Sequence, residues 1–342
     1  MLTLYTPATG FPDLEVKIAY GLARVGIEAR VDFDITPQAG FYEITFNTSS
    51  LDKLHNTYLM LLKRLLTSDR FYDLGVKAKD KGKYSAKEEI IEKISNDLNF
   101  TSLFSLSTKV NLNFKKDTFC NHNHLLRFGG RTGLILLSSF HAGKPYERDK
   151  RISTFNQALC AVCGYLAVIG LYSFGFIIQL GTGKNKKIVL VLPIPQRTLN
   201  KDSVIRLLSL QKSLHNFWLS NLLPLRTFTI GLLAKTPSLC EIVNEQELFF
   251  HLSLLSKDNR GDTVVEQTSL FNALPFSKFI SESSFNSAVV ENLLGSFKKD
   301  DLPKTASLIE LVNLIESKNN DSILKFPRLY VQETSTNNFT NL

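Results

Sequence analysis

The run that decides the fold reads Thr3-Leu4-Tyr5, a turn from Pro7 to Pro12, Asp13-Leu14-Glu15-Val16-Lys17-Ile18-Ala19-Tyr20-Gly21-Leu22-Ala23-Arg24-Val25-Gly26, then Val31-Asp32-Phe33-Asp34-Ile35 and Phe41-Tyr42-Glu43-Ile44-Thr45-Phe46. Thr3 to Tyr5 is a short extended segment, and the prolines with Gly10 supply turn chemistry. Leu14, Ile18, Leu22 and Val25 recur at helical spacing. This predicts a helix over 13–25, with Gly26 in the left-handed position just past its end. Val31, Phe33 and Ile35 alternate with Asp32 and Asp34, the pattern of a half-buried strand, and 41–46 alternates again. Strand, helix, strand, strand makes a mixed layer. The expected fold class is α+β, with an N-terminal sheet-and-helix domain over 1–235 and a C-terminal helical domain over 236–342.

The totals set the class. The chain has 342 residues, 44% of them hydrophobic, a mean hydropathy of −0.01 and a net charge of +8. That is the composition of a folded chain with a sizeable core, not of a disordered one. Four cysteines stand at 120, 160, 163 and 240, too few for a secreted disulfide framework. Asp13, Glu15 and Lys17 interrupt any leader-like apolar run, so the expected location is the cytoplasm.

The charge is concentrated. Residues 109–212 hold 16 Lys+Arg against 4 Asp+Glu, a net of +12, so the remainder of the +8 chain sums to −4. A local cationic face is the electrostatic footprint of a polyanion partner, nucleic acid first among them. Within the window, Val110, Leu112 and Phe114 alternate with polar residues as a strand that leads to Lys115 and Lys116. Phe128-Gly129-Gly130-Arg131 is a glycine-rich turn whose Arg127 and Arg131 suit a phosphate clamp; a tight turn with surface arginines is the competing reading. Lys144, Arg148, Lys150 and Arg151 surround Tyr146, a pattern suited to backbone contact with base stacking or to a solvated loop. Two apolar runs, 174–180 and 188–194, flank Gly181-Thr182-Gly183-Lys184-Asn185-Lys186-Lys187 and predict a lysine-tipped hairpin, followed by Gln196 and Arg197. The letters Gly-Thr-Gly-Lys do not complete a nucleotide-phosphate loop, because Asn185 follows the lysine and a strand follows instead of a helix.

No charge lies between Arg151 and Lys184, and 158–180 is long enough to span a bilayer. Gly164, Gly170 and Gly175 punctuate it and its second half is aromatic and β-branched. The preferred reading is therefore a buried helix followed by a buried strand. Cys120-x-His122-x-His124 carries the right residue types for zinc, and Cys160-x-x-Cys163 could supply more ligands or be ordinary helix packing. No metal and no cofactor is assigned. His141 has no visible nucleophile or orienting partner, and His55 lies beside the apolar stripe of a helix over 50–67. Lys77, Lys79, Lys81, Lys83 and Lys87 mark a loop, either solvated or engaging phosphate, and an acidic helix follows from Ser85.

Further on, Asp202 opens a helix, 228–233 reads as a strand, and helical patterns recur near 238–256, 264–272, 284–297 and 305–318. The Thr- and Asn-rich tail after Glu333 reads as frayed.

Tyr5-Thr6-Pro7, Gly10-Phe11, Lys17-Ile18-Ala19-Tyr20-Gly21-Leu22 and Val25-Gly26-Ile27-Glu28 resemble the archaeal large subunits of type I-A CRISPR interference (Cascade) complexes. The likeness is concentrated in the first thirty residues. It implies a non-enzymatic subunit that helps recognise the motif flanking the target and stabilises opened DNA, with nuclease and helicase activity on partner proteins. The expected partners are double- and single-stranded DNA, guide RNA through the assembled complex, and the other effector subunits, with no membrane. Lysines and arginines would contact phosphate; Asn121, Asn123, Asn185 and Gln196 are the base-edge candidates. A metal-dependent nuclease or other hydrolase is the first alternative, but Asp117, Glu147, Asp149 and Asp202 form no recognised pattern. A membrane-associated structural protein is the second.

Overall fold

The computed structural model describes residues 1–8, 12–67, 127–128, 159–180, 187–213, 225–257, 263–294, 305–317 and 320–339. In chain order these form β1 (Leu2–Tyr5), α1 (Pro12–Glu28), β2 (Phe33–Pro37), β3 (Tyr42–Phe46), α2 (Leu51–Thr67), β4 (Arg127–Phe128), β5 (Leu159–Cys160), α3 (Ala161–Phe174), β6 (Phe176–Leu180) and β7 (Lys187–Pro195). Then follow β8 (Leu199–Asn200), α4 (Lys201–Ser213), α5 (Leu225–Lys235), α6 (Pro237–Gln246), β9 (Leu248–Lys257), β10 (Thr263–Asn272), α7 (Leu274–Glu282), α8 (Ser284–Leu294), α9 (Thr305–Ser317) and α10 (Asn320–Phe339). The fold is α+β, with an N-terminal sheet region and helices toward the C-terminus. The chain divides into two compact units: 1–175 with 197–211 and 257–266, and 176–196 with 212–256 and 267–342.

In the first unit an antiparallel sheet runs β1-β3-β2-β8. The β2–β3 hairpin closes at Ala39-Gly40; Gln38 N–H donates to the Phe41 carbonyl, and Gly40 takes φ +92°. Helix α1 packs against this sheet and against α3. Contact on two sides explains its burial: every residue from Asp13 to Gly26 except Arg24 is buried. The predicted stripe of four apolar positions is thus only part of its contact surface. Tyr20 stacks on Phe174 of α3 with centroids 4.7 Å apart. The backbones of α1 and α3 approach so closely that a Cβ on Gly21 would stand 2.2 Å from the Leu166 carbonyl oxygen.

Gly26 is a correction. The helix runs past it to Glu28, and the left-handed residue is Arg30, at φ +53°. Val31 N–H reaches the Gly26 carbonyl and Arg30 N–H the Ile27 carbonyl, both at 3.0 Å, which is a Schellman closure. Gly26 is instead a contact residue: a Cβ there would meet Phe33 at 2.6 Å and Phe46 at 2.8 Å.

The second unit carries a sheet ordered β10-β9-β7-β6, with α5–α10 as its helices. Strand β7 is central, and Val189, Leu190, Val191 and Leu192 are all buried, as a strand covered on both faces requires. Two helical expectations fail here in whole or in part: the pattern near 238–256 is helical only as far as Gln246 and becomes a strand from Leu248, and 264–272 is a strand. Leucine-rich composition favoured a helix, but pairing of β9 with β7 along Ile188↔Leu255 to Pro195↔Leu248 overrides that weak preference. Conversely, 228–233 lies inside α5. Its aromatic and β-branched residues suggested a strand, yet residues 229–234 are buried all round, and periodicity alone cannot type such a run. The tail expected to fray is helical to Phe339. Glu333 anchors it, accepting hydrogen bonds from Ala306 N–H (3.3 Å), Ser307 N–H (3.0 Å) and the Ser307 hydroxyl at the start of α9.

The described part of the apolar segment 158–180 resolves into β5, α3, a break at Gly175, and β6. Fourteen residues of helix fall short of the roughly 20 needed to span a bilayer. Among the described residues no helix is long and apolar enough to cross a membrane.

Candidate nucleic-acid interface

The described part of the basic window centres on the β6–β7 hairpin. Its register runs from Phe176↔Val191 to Leu180↔Lys187, so Lys187 is the first strand residue after the lysine-rich connection. Lys187 is half-buried. Beyond Val191 no β6 residue is registered against β7, so Pro193 and Pro195 lie where β7 has lost one neighbour and a missing N–H is tolerated.

Gln196 and Arg197 follow β7 and are exposed. Lys187 and Gln196 therefore mark opposite ends of one strand. Nine residue steps at about 3.3 Å each set them roughly 30 Å apart. The sequence placed Lys187 and Gln196 in one window; the strand between them keeps them from sharing a phosphate.

Arg127 opens β4 and is registered against Cys160 of β5. Lys115, Lys116, Asn121, Asn123, Arg131, Lys144, Arg148, Lys150, Arg151, Lys184, Asn185 and Lys186 lie outside the described residues. The same holds for the lysine-rich loop 77–87, the acidic helix after it, the strand at 110–114, His141, and Cys120, His122 and His124.

At its C-terminal end the window meets acid. Strand β8 pairs with β2 through Asp34↔Asn200 and Ile35↔Leu199. Lys201 Nζ donates to Asp32 at 2.7 Å, and the Asn200 side chain caps α4 by accepting from Ser203 N–H at 2.9 Å. A cleft of about 390 Å³ there is lined by Asp32, Asp34, Asp202, Lys201, Asn47 and Asn200, among others. Lys201 counts toward the +12 of the sequence but is matched by Asp32. This acidic edge was missed because the two ion-pair partners are 169 residues apart. The only local hint was Asp32 and Asp34 alternating on the polar face of β2.

The first turns of α1 bury a second charged group. Lys17 Nζ lies 3.2 Å from an Asp13 oxygen, both essentially inaccessible, and Glu15 is buried with them. Burial pulls the Lys17 ammonium below the usual lysine range, with Asp13 opposing. Burial also raises the Tyr42 phenol, and Glu15 adds to that shift. His55 is half-buried on α2; burial lowers its pKa, with Asp52 opposing. Asp13, Glu15 and Lys17 therefore belong to the core and not to a surface that a polymer could contact. Among the described residues no three His, Cys, Asp or Glu side chains converge on a point that could hold a metal ion.

No protein-family model matches the chain, and no curated protein gives a significant match.

Proposed function

We propose that this chain is a non-catalytic nucleic-acid-binding subunit of a type I-A CRISPR effector complex, helping to recognise the target-flanking motif and to hold opened DNA. One observation carries the nucleic-acid part: a net +12 confined to residues 109–212 of a chain whose remainder is −4. Charge so segregated is expected for a surface that displaces counterions from phosphate. In sequence, the uncharged and largely buried α3, with Phe176 at the start of β6, lies between the two densest cationic runs, 144–151 and 184–187; on this reading it is the scaffold for the connections that carry them. The CRISPR part rests on the resemblance of the first thirty residues. On this reading guide RNA pairs with the target, while Gln196 and the window's asparagines are the groups available for base edges and the cations hold the backbone.

Two measurements test it. Titration of the purified chain with duplex and single-stranded DNA should show affinity falling steeply and linearly in log–log form with salt. Salt-independent or absent binding would remove the nucleic-acid reading, and magnesium-dependent cleavage lost on Asp117 or Asp149 substitution would overturn its non-catalytic character. Purification of the tagged chain from its native cell should recover CRISPR effector subunits and guide RNA. A solitary chain without RNA would end the effector-complex assignment while leaving DNA binding to stand on its own.

A further inference from the structure

Strand β10 ends the sheet β10-β9-β7-β6; among the described residues its one strand neighbour is β9. It is ten residues long and reads Thr263-Val264-Val265-Glu266-Gln267-Thr268-Ser269-Leu270-Phe271-Asn272. An outer edge of that length is a template for another strand, and proteins that keep such an edge to themselves guard it with lysine or proline. β10 contains no lysine, arginine, proline or glycine, and its one charge is Glu266. By contrast, β7 carries Pro193 and Pro195 where it runs past β6. Phe271 is buried, so its side of β10 is the core face, and Thr268 and Leu270 lie on the outer one. Thr268 is exposed, and Leu270 is 56% exposed, an open apolar side chain on an unguarded edge.

The strand's own sequence selects the occupant. Two identical strands paired antiparallel are related by a two-fold axis normal to the sheet. That axis keeps the outer faces of both copies on one side, so outer-face residues meet outer-face residues and the axis passes through a single residue. The overlap is longest with the axis at Gln267 or at Thr268. At Gln267, Glu266 lies diagonal to Glu266 of the second copy, two like charges within reach of each other. At Thr268 the two glutamates stand well apart, each opposite Leu270 of the other copy. Thr268 then meets Thr268, Gln267 meets Ser269, and Val265 falls in register with Phe271. Thr–Thr and β-branched–aromatic pairs are among the favoured cross-strand combinations, and no like charges oppose each other. The edge is therefore complementary to itself.

We propose that β10 is a self-association edge: a second copy of this chain adds its own β10 antiparallel, with the two-fold axis at Thr268. The pairing makes one continuous sheet from β6, β7, β9 and β10 of both copies. Because each copy offers the same edge, the contact is isologous and closes at two chains. Main-chain hydrogen bonds supply the attraction and the cross-strand pairs fix the register. The inference is independent of the function proposed above: it concerns which chain meets β10, not what the cationic window binds.

The test is sedimentation of the full-length chain over a concentration series at low salt. A concentration-dependent dimer of the 38.5 kDa chain is expected. Thr268→Lys and Thr268→Glu each set like charges face to face on the axis and should weaken dimerisation by about 10-fold. Mixed in equal amounts, the two variants should form a Lys–Glu heterodimer at close to the affinity of the unaltered chain. Residue 268 is exposed, so neither substitution disturbs the core. The unaltered chain decides without any variant: a monomer throughout the micromolar range would overturn the proposal. A dimer that both variants leave intact would overturn it too, as would an equal mixture that stays monomeric.

Discussion

Replacing Gly170 with alanine tests the contact on which the first unit is built. The added Cβ would stand 1.9 Å from the Lys17 carbonyl oxygen and 2.8 Å from the Gly21 nitrogen, where an ordinary contact begins at 3.4 Å. The difference, 3.4 less 1.9, requires the two backbones to part by about 1.5 Å. Neither obstacle is the end of a flexible side chain, so the helices themselves must move. Overpacking of this kind costs about 1–3 kcal/mol, and a rigid backbone neighbour puts it at the upper end. Alanine returns about 1 kcal/mol in helix propensity. The net loss is about 2 kcal/mol, or roughly 4–8 °C in Tm for a unit of this size. Thermal and urea unfolding of Gly170→Ala, Gly21→Ala and the double variant provide the measurement. Both singles should be destabilised, and the double should cost less than their sum, because helices already parted accommodate the second methyl. Gly40→Ala is the control: nothing lies within 4 Å of its Cβ, so only the left-handed backbone is penalised, by about 1–2 kcal/mol. A Gly170→Ala protein as stable as the parent would refute the α1–α3 crossing.

Neutralising Lys184, Lys186 and Lys187 to glutamine should flatten the log–log salt dependence of duplex binding by about 2.7, at 0.9 per phosphate lost; an unchanged slope would exclude the hairpin from the interface. Burial pushes the Tyr165 phenol up to about 12 from the ordinary tyrosine value of 10.0. A raised folded-state pKa gives stability present below pH 10 and lost as pH climbs toward 12, by about 3 kcal/mol at most. In Tyr165→Phe the fall in urea midpoint over that interval should be shallower; an identical fall would show that Tyr165 is not shielded. Glu333→Ala removes the acceptor at the start of α9 and should cost about 1–2 kcal/mol, with faster hydrogen exchange at Ala306 and Ser307. Unchanged protection of those two amides would contradict the cap.

The elements that could be read from the sequence are those with a one-sided environment. β2, β3 and α2 meet water on one face, so their periods survive in the residue pattern. The β6–β7 hairpin was legible because two apolar runs bracket glycine and lysine. Where an element is enclosed, the pattern loses its meaning. In α1 three charged residues sit in the core among apolar ones, and α5 and β9 are both apolar runs that differ in state only because β9 finds β7. Gly26 shows the same limit at one position: helix-end chemistry predicted a cap, whereas the fold uses the missing side chain to admit Phe33 and Phe46. At the candidate interface the charge density was legible, but the pairing of β8 with β2 had no local sign, and neither did the ion pair it creates.

That pairing changes how the cationic window is understood. A sum of +12 treats its residues as equivalent, yet they are not. Lys201 is engaged by Asp32 beside a cleft that also carries Asp34 and Asp202, so this end of the window presents acid. Lys187 and Gln196 are held about 30 Å apart by a strand buried along its middle. A B-form duplex carries one phosphate per 3.4 Å on each strand, so a ligand engaging both ends of β7 must extend over about nine of them. If both ends belong to the interface proposed above, the partner is an extended polyanion and not a compact one such as a nucleotide, which could reach only one end. A mobile basic tail would make no such distinction; it follows from setting the Lys187 cation and the Gln196 amide at the two ends of one strand.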